Sequence, residues 1–246
     1  MPISRIFQSV ELFCGAEIQL DRQASHHLIT VLRVKPNDVL TIFNGQGGEY
    51  KGFITQINKK QVSVRIGEHV AHEVESSLAL YLAQGISRGA KMDYTIQKAV
   101  ELGVKKIIPL LTERCTVKLD EERRAKRFQH WQSVITSACE QSGRNQIPEL
   151  FLPMTLESGL QSVPADWRFV LSPTAVPRLR DQVVQKSQRV LLLIGPEGGL
   201  SEKEVALACQ QGFQPLNLGP RILRTETAAV AAITALQCSF GDMGSG

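Results

Sequence analysis

An α/β fold is predicted for this chain: a small β-rich region leads into a larger region built on a mostly parallel sheet. Three observations predict it. Residues 6–70 read as short β-rich runs broken by turn signals; residues 78–218 alternate apolar runs with helical periodicity; and two of those runs, 190–194 and 216–218, stop at Gly-Pro pairs before helices.

In the first region, residues 39–43, 50–57 and 61–66 are strands. The sequence Asn44-Gly45-Gln46-Gly47-Gly48 makes a hairpin loop between the first two, and Asn58-Lys59-Lys60 turns the chain into the third. The Gly45-x-Gly47 pair is read as a turn, because a strand follows it where a nucleotide fingerprint needs a helix. Residues 69–77 are polar and without period, a linker that places the boundary between regions 1–72 and 73–246.

The second region opens with a buried strand at 78–84 and a helix at 91–102, whose Met92, Ile96, Ala99 and Val100 share one face and whose end is Gly103. A strand at 106–111 follows. Asp120 caps a long helix to about residue 141, with Phe128, Trp131, Ile135 and Ala138 at core spacing. Strands at 150–152, 169–171, 190–194 and 216–218 complete the sheet. Ser201 and Glu204 have the spacing of a capping box for the helix after the first Gly-Pro loop, and an alanine-rich helix follows the second.

Bulk properties narrow the classes. With 43% hydrophobic and 21% charged residues among 246, the chain has the composition of a globular protein. A net charge of +4 leans toward an anionic partner. The longest aliphatic run, 190–194, is too short to cross a bilayer, and the first seven residues lack a signal-peptide core, so no membrane role and a cytoplasmic location are expected. Five cysteines without a Cys-x-x-Cys pair indicate a reducing compartment and no structural zinc; no metal is expected. Four of the five histidines, at 26, 27, 69 and 72, fall in the small region and are read as surface or packing residues.

The chemistry concentrates in the two Gly-Pro loops. Strand ends lying side by side in an open parallel sheet form a ligand site. The first strand-to-helix turn, Gly85-Ile86-Ser87-Arg88-Gly89-Ala90-Lys91, is not a dinucleotide fingerprint, and no phosphate-loop motif occurs. In Gly195-Pro196-Glu197-Gly198-Gly199 the glycines allow close approach of main chain to a ligand, while Glu197 opposes a phosphate. The ligand expected is one without phosphates that offers amine, hydroxyl or adenine edges.

These residues and their order resemble the RsmE family of SPOUT-class ribosomal RNA methyltransferases over almost the whole chain. The segments that carry the resemblance are Arg5-Ile6-Phe7; residues 27–33; Gln97-Lys98-Ala99-Val100-Glu101-Leu102-Gly103-Val104; Thr112-Glu113-Arg114; Glu140-Gln141 with Arg144; residues 195–199; and residues 218–228. Cys115 departs from the family pattern, where serine is expected.

The resemblance implies a PUA-like β-barrel that helps hold RNA, a SPOUT domain with a deep trefoil knot, a homodimer, and S-adenosylmethionine as cofactor. It implies transfer of a methyl group to N3 of a uridine in small-subunit ribosomal RNA, free or in the assembled subunit. The cofactor is expected at Leu171, Ser172, Gly195, Pro196, Glu197, Gly198, Leu218, Gly219, Ile222 and Leu223. Arg224 or Arg114 is expected to stabilise or position the uracil, with Glu140 as a base or positioner. RNA phosphates are expected at Arg5, Arg33 and Arg144. A noncatalytic RNA-binding or assembly protein, or a SPOUT enzyme with another RNA target, is the alternative.

Overall fold

The computed structural model describes residues 4–117, 120–173 and 188–244. The chain divides into two units, residues 1–75 with 139–147, and residues 76–138 with 148–246.

The first unit is a five-stranded mixed sheet. Its strands are β1 (Arg5–Phe7), β2 (Glu17–Gln19), β3 (Val39–Phe43), β4 (Glu49–Asn58) and β5 (Gln61–Val70), hydrogen-bonded in the order β1-β3-β4-β5-β2. Only β1 and β3 run parallel; the other pairs are antiparallel. The two hairpins fall where the turn residues put them, and Asn58 pairs with Gln61 across Lys59-Lys60. Ile6, Leu20, Leu28, Leu40, Ile42, Ile54, Val62, Val64 and Ile66 form the core.

The region between β2 and β3 departs from the strand-like reading. Helix α1 (Arg22–His26) runs into a wide π turn, His27–Leu32, and ends at Arg33 in the left-handed conformation, φ 52°. Asp21 starts it by accepting from Ala24 N at 2.8 Å, and this cap, with Leu28 fully buried beneath the turn, overrides the strand preference of Ile29, Thr30 and Val31.

The second unit is an α/β sandwich. Its strands are β6 (Ala79–Gly85), β7 (Lys106–Leu111), β8 (Glu149–Leu150), β9 (Met154–Thr155), β10 (Trp167–Leu171), β11 (Arg189–Ile194) and β12 (Gln214–Leu216). They hydrogen-bond in the order β12-β10-β11-β6-β7-β8, with β9 also on β7, and every pair is parallel. Helices α2 (Ala90–Glu101), α3 (Glu121–Ser142), α4 (Leu156–Leu160) and α5 (Glu202–Gln210) lie between them along the chain and α6 (Thr225–Phe240) follows β12; the last residues of α3 group with the first unit.

Both faces of the central strands are covered, which is why residues 190–194 are continuously apolar rather than alternating. Leu191 and Leu193 join Ala83, Ile108, Leu110, Leu160, Ala208 and Phe213 in one core cluster. Val190, Leu192 and Ile194, of the opposite parity, are equally buried, and α2 packs on α6, which in turn contacts β11.

The last strand begins two residues before the expected 216–218 and includes Pro215. Pro215 lacks an N–H to donate, and β12 is the sheet's edge, where that loss is tolerated. Strands β10, β11 and β12 end side by side, so the chain segments at 171–173, 195–199 and 217–224 leave the sheet together.

Candidate functional site

These three segments enclose a cavity of about 780 Å3 in the second unit, a size within the usual range of roughly 300–1,000 Å3 for small-molecule sites. All ten residues expected at the cofactor line it: Leu171, Ser172, Gly195, Pro196, Glu197, Gly198, Leu218, Gly219, Ile222 and Leu223. So do Arg114 and Arg224, together with Lys91 and Thr225 and with Glu202 and Glu226, the last two of which the sequence did not single out as site residues.

The loop at 195–199 is built from close contacts. A Cβ at Gly195 would stand 2.8 Å from Gly199 C and from Leu200 N, and one at Gly85 would stand 2.5 Å from Pro196 N. Only glycine permits main chain to approach this closely. The capping box is present: Ser201 Oγ accepts from Glu204 N, and Glu204 Oε2 accepts from Ser201 N at 2.8 Å. The other oxygen of Glu204 accepts from Glu113 N at 2.8 Å, so the same carboxylate ties α5 to the segment after β7.

Three further side chains fix this loop. Arg114 donates through Nη1 to Gly198 O at 3.0 Å. Glu197 accepts from Arg88 N at 3.1 Å and pairs with Lys91 Nζ at 3.3 Å. Burial pushes the Glu197 carboxyl up, but hydrogen bonds from its own and Arg88's main-chain N–H and from Lys91 outweigh this and lower it below the ordinary carboxylate value. Beneath the loop, Gln84 is fully buried at the end of β6 and its Nε2 donates to Gly85 O, Gly195 O and Thr225 Oγ1, the last at 3.0 Å. Thr225 Oγ1 in turn donates to Gly195 O at 2.6 Å. This clamp joins the ends of β6 and β11 to the start of α6.

The loop at 217–224 is made differently. Gly219 has φ +132°, with open space where a Cβ would be, so its glycine is demanded by the backbone and not by crowding. Asn217 accepts from Gly219 N at 2.5 Å. The main-chain N–H groups of Leu218, Ile222 and Leu223 have no hydrogen-bond partner among the described residues. Ile222 is 89% exposed, and Arg224, which precedes α6, has no side-chain partner among them either. An apolar lining with unpaired main-chain donors suits a flat ring with acceptors on its edge, the chemistry of an adenine.

The remaining expected residues fall in the first unit and do not line this cavity. Arg144 is 3% exposed and forms a two-point ion pair with Glu75, Nε to Oε1 at 2.8 Å and Nη2 to Oε2 at 2.7 Å. Arg5 is engaged with Glu49 and with Asn145 Oδ1. Both guanidiniums are therefore turned toward protein partners, whereas Arg33 is exposed. Glu140 accepts from Phe7 N at 3.0 Å, and burial raises its pKa. Bonds of Arg5, Glu140 and Arg144, with those of Asn145, hold residues 139–147 to β1 and to residues 72–75 within this unit.

The five cysteines are free, and burial pushes the Cys139 thiol up to about 12, which keeps it protonated and unreactive. Among the described residues no group of three or more His, Cys, Asp or Glu side chains is placed to hold a metal, and no helix is long and apolar enough to cross a membrane.

Residues 74–237 match the model of an RNA methyltransferase domain, and residues 20–67 that of an RNA methyltransferase PUA domain. Ribosomal RNA small subunit methyltransferase E of Buchnera aphidicola subsp. Schizaphis graminum is 40% identical over 242 residues, 98% of each chain. The solved structure of the enzyme of that name from Neisseria gonorrhoeae, bound to S-adenosyl methionine, is 38% identical with a TM-score of 0.91, covering 98% of this chain and 99% of that one. A methyltransferase structure from Legionella pneumophila with bound cofactor SAM is 44% identical with a TM-score of 0.96, covering 99% and 100%. With its PUA-like mixed sheet, its parallel α/β unit and these relatives, the chain belongs to the RsmE family of SPOUT-class ribosomal RNA methyltransferases.

Proposed function

We propose that this chain is an S-adenosylmethionine-dependent enzyme that methylates N3 of one uridine in the 16S RNA of the small ribosomal subunit. The observation that carries the reading is the cavity at the ends of β10, β11 and β12, lined by the ten expected cofactor residues and by Arg114 and Arg224.

The lining fits this cofactor. Leu218, Ile222 and Leu223 offer apolar surface with N–H groups that have no partner among the described residues, and the loop at 195–199 adds the Glu197 carboxylate but no phosphate cradle. When bound, the cofactor supplies an electrophilic methyl group on a sulfonium. The protein must orient the uracil in line with that methyl and stabilise the charge left on the ring as the N3 proton departs. Arg224 is suited to the second task, since it lines the cavity and its guanidinium has no protein partner among the described residues. Arg114 braces the Gly198 carbonyl and acts on the cofactor loop.

Arg33, exposed at the end of the π turn, is the phosphate contact we retain from the first unit. The reading further includes the trefoil knot, with the chain after β12 as its threaded segment, a homodimer, and work in the cytoplasm on free RNA or the assembled subunit.

Mass spectrometry of ribosomal RNA from a strain lacking the protein tests the reading. The expected result is loss of one N3-methyluridine from 16S RNA, restored by the wild-type gene. An unchanged 16S profile would overturn it.

A further inference from the structure

Glu226 stands out among the carboxylates of the cavity. Three glutamates line it. Glu197 is committed to Arg88 N and Lys91, and Glu202 is exposed on the first turn of α5. Glu226, in the first turn of α6, has an Oε2 shielded from solvent that accepts from no donor among the described residues. A buried acceptor left unpaired is costly, and use by a ligand or by the reaction is one reason for a fold to keep it.

Its position is also held. Thr225, the residue before it, is 7% exposed and bonded to Gln84 and Gly195, so the first turn of α6 is pinned to the cavity floor. Arg224, on the other side of Thr225, lines the same cavity. Among the described residues, the shielded Oε2 of Glu226 and the guanidinium of Arg224, on either side of one anchored threonine, thus have no protein partner. That is the pair a uracil needs: an acceptor for the proton on N3 and a cation for the charge that its loss leaves on the ring. Glu140 has no such placement, since it is spent on Phe7 N in the first unit.

We infer that Glu226 is a catalytic residue that accepts the N3 proton of the target uridine. The inference rests on the reading of the enzyme as a uridine-N3 methyltransferase. The proton on N3 passes to the Glu226 carboxylate, and the electron pair it leaves forms the bond from N3 to the methyl carbon. The electron pair of the broken sulfur–methyl bond stays on sulfur, whose positive charge is cancelled. Glu226 then releases the proton to water as the products leave.

The test combines calorimetric titration of S-adenosylmethionine with turnover on small-subunit RNA, using the full chain and Glu226→Gln, Glu226→Asp and Glu226→Ala. Glu226→Gln keeps the shape and an acceptor oxygen but cannot take a proton. Its turnover at saturating cofactor and RNA is expected to fall by about 100-fold or more, with cofactor affinity within about threefold of wild type. Glu226→Asp should recover part of the rate, and added formate should raise the turnover of Glu226→Ala. Turnover of Glu226→Gln within about threefold of wild type would overturn the inference, as would loss of cofactor binding with an unchanged rate at saturation. A wild type that makes no N3-methyluridine would overturn the underlying reading instead, a failure visible before any variant is made.

Discussion

The two Gly-Pro loops begin alike, each as an apolar strand breaking at a Gly-Pro pair, yet they are built on opposite principles. The loop at 195–199 is finished without a ligand: Gln84, Arg114, Arg88, Lys91 and Thr225 all bond to it, and its first glycine, Gly195, is demanded by main-chain contacts under 3 Å. The loop at 217–224 leaves three main-chain donors without a partner among the described residues, and an isoleucine side chain in the open. One loop is a fixed wall and the other is completed by what binds. Rigidity on one side lowers the ordering cost of binding, and open valences on the other provide the contacts.

The largest effect should come from crowding the fixed wall. Gly195→Val drives side-chain atoms into the main chain of Gly199 and Leu200. A loss of about 3 kcal/mol in denaturant unfolding is expected, with no measurable cofactor binding in calorimetry. Next is the clamp. Gln84→Leu removes the donor to Gly85 O, Gly195 O and Thr225 Oγ1 in a fully buried place. It should cost about 2 kcal/mol and weaken the cofactor through displacement of both loops. Ser201→Ala removes one half of the capping box, for about 1 kcal/mol.

A smaller effect is pH-dependent. The Glu197 pKa is lowered in the folded protein, so its stabilisation is complete above the unfolded carboxylate value of about 4.3 and is lost as pH falls through the lower folded value. Melting temperatures of Glu197→Gln followed from neutral pH into this acid range should therefore fall less steeply than those of wild type. The open loop should give the smallest stability effect of all. Ile222→Ala, at an 89% exposed site, should change stability by no more than about 0.5 kcal/mol while weakening cofactor binding about tenfold, the signature of a side chain buried only on binding.

Local signals in the sequence predicted the second unit well. The Ser201–Glu204 box, the Asp120 cap, which accepts from Arg123 N at 2.8 Å, and the Gly-Pro breaks all act within a few residues, and each is found where its spacing puts it. The clamp was not legible, because Gln84 sits in an apolar strand and its partner is 141 residues away. The π turn after α1 was hidden by β-branched residues whose strand preference yields to a cap and a buried leucine. Arg144 shows what charge in a sequence leaves out. A motif arginine reads as a phosphate contact, whereas here it is almost wholly buried against Glu75, and only folding discloses that partner.

The contrast between the loops can be measured directly by hydrogen exchange of the full chain with and without S-adenosylmethionine. Amides at 217–224 are expected to exchange quickly alone and to become protected on adding cofactor, while the change at 195–199 is much smaller. Equal protection of 217–224 in both states, with the cofactor shown by calorimetry to be bound, would contradict it.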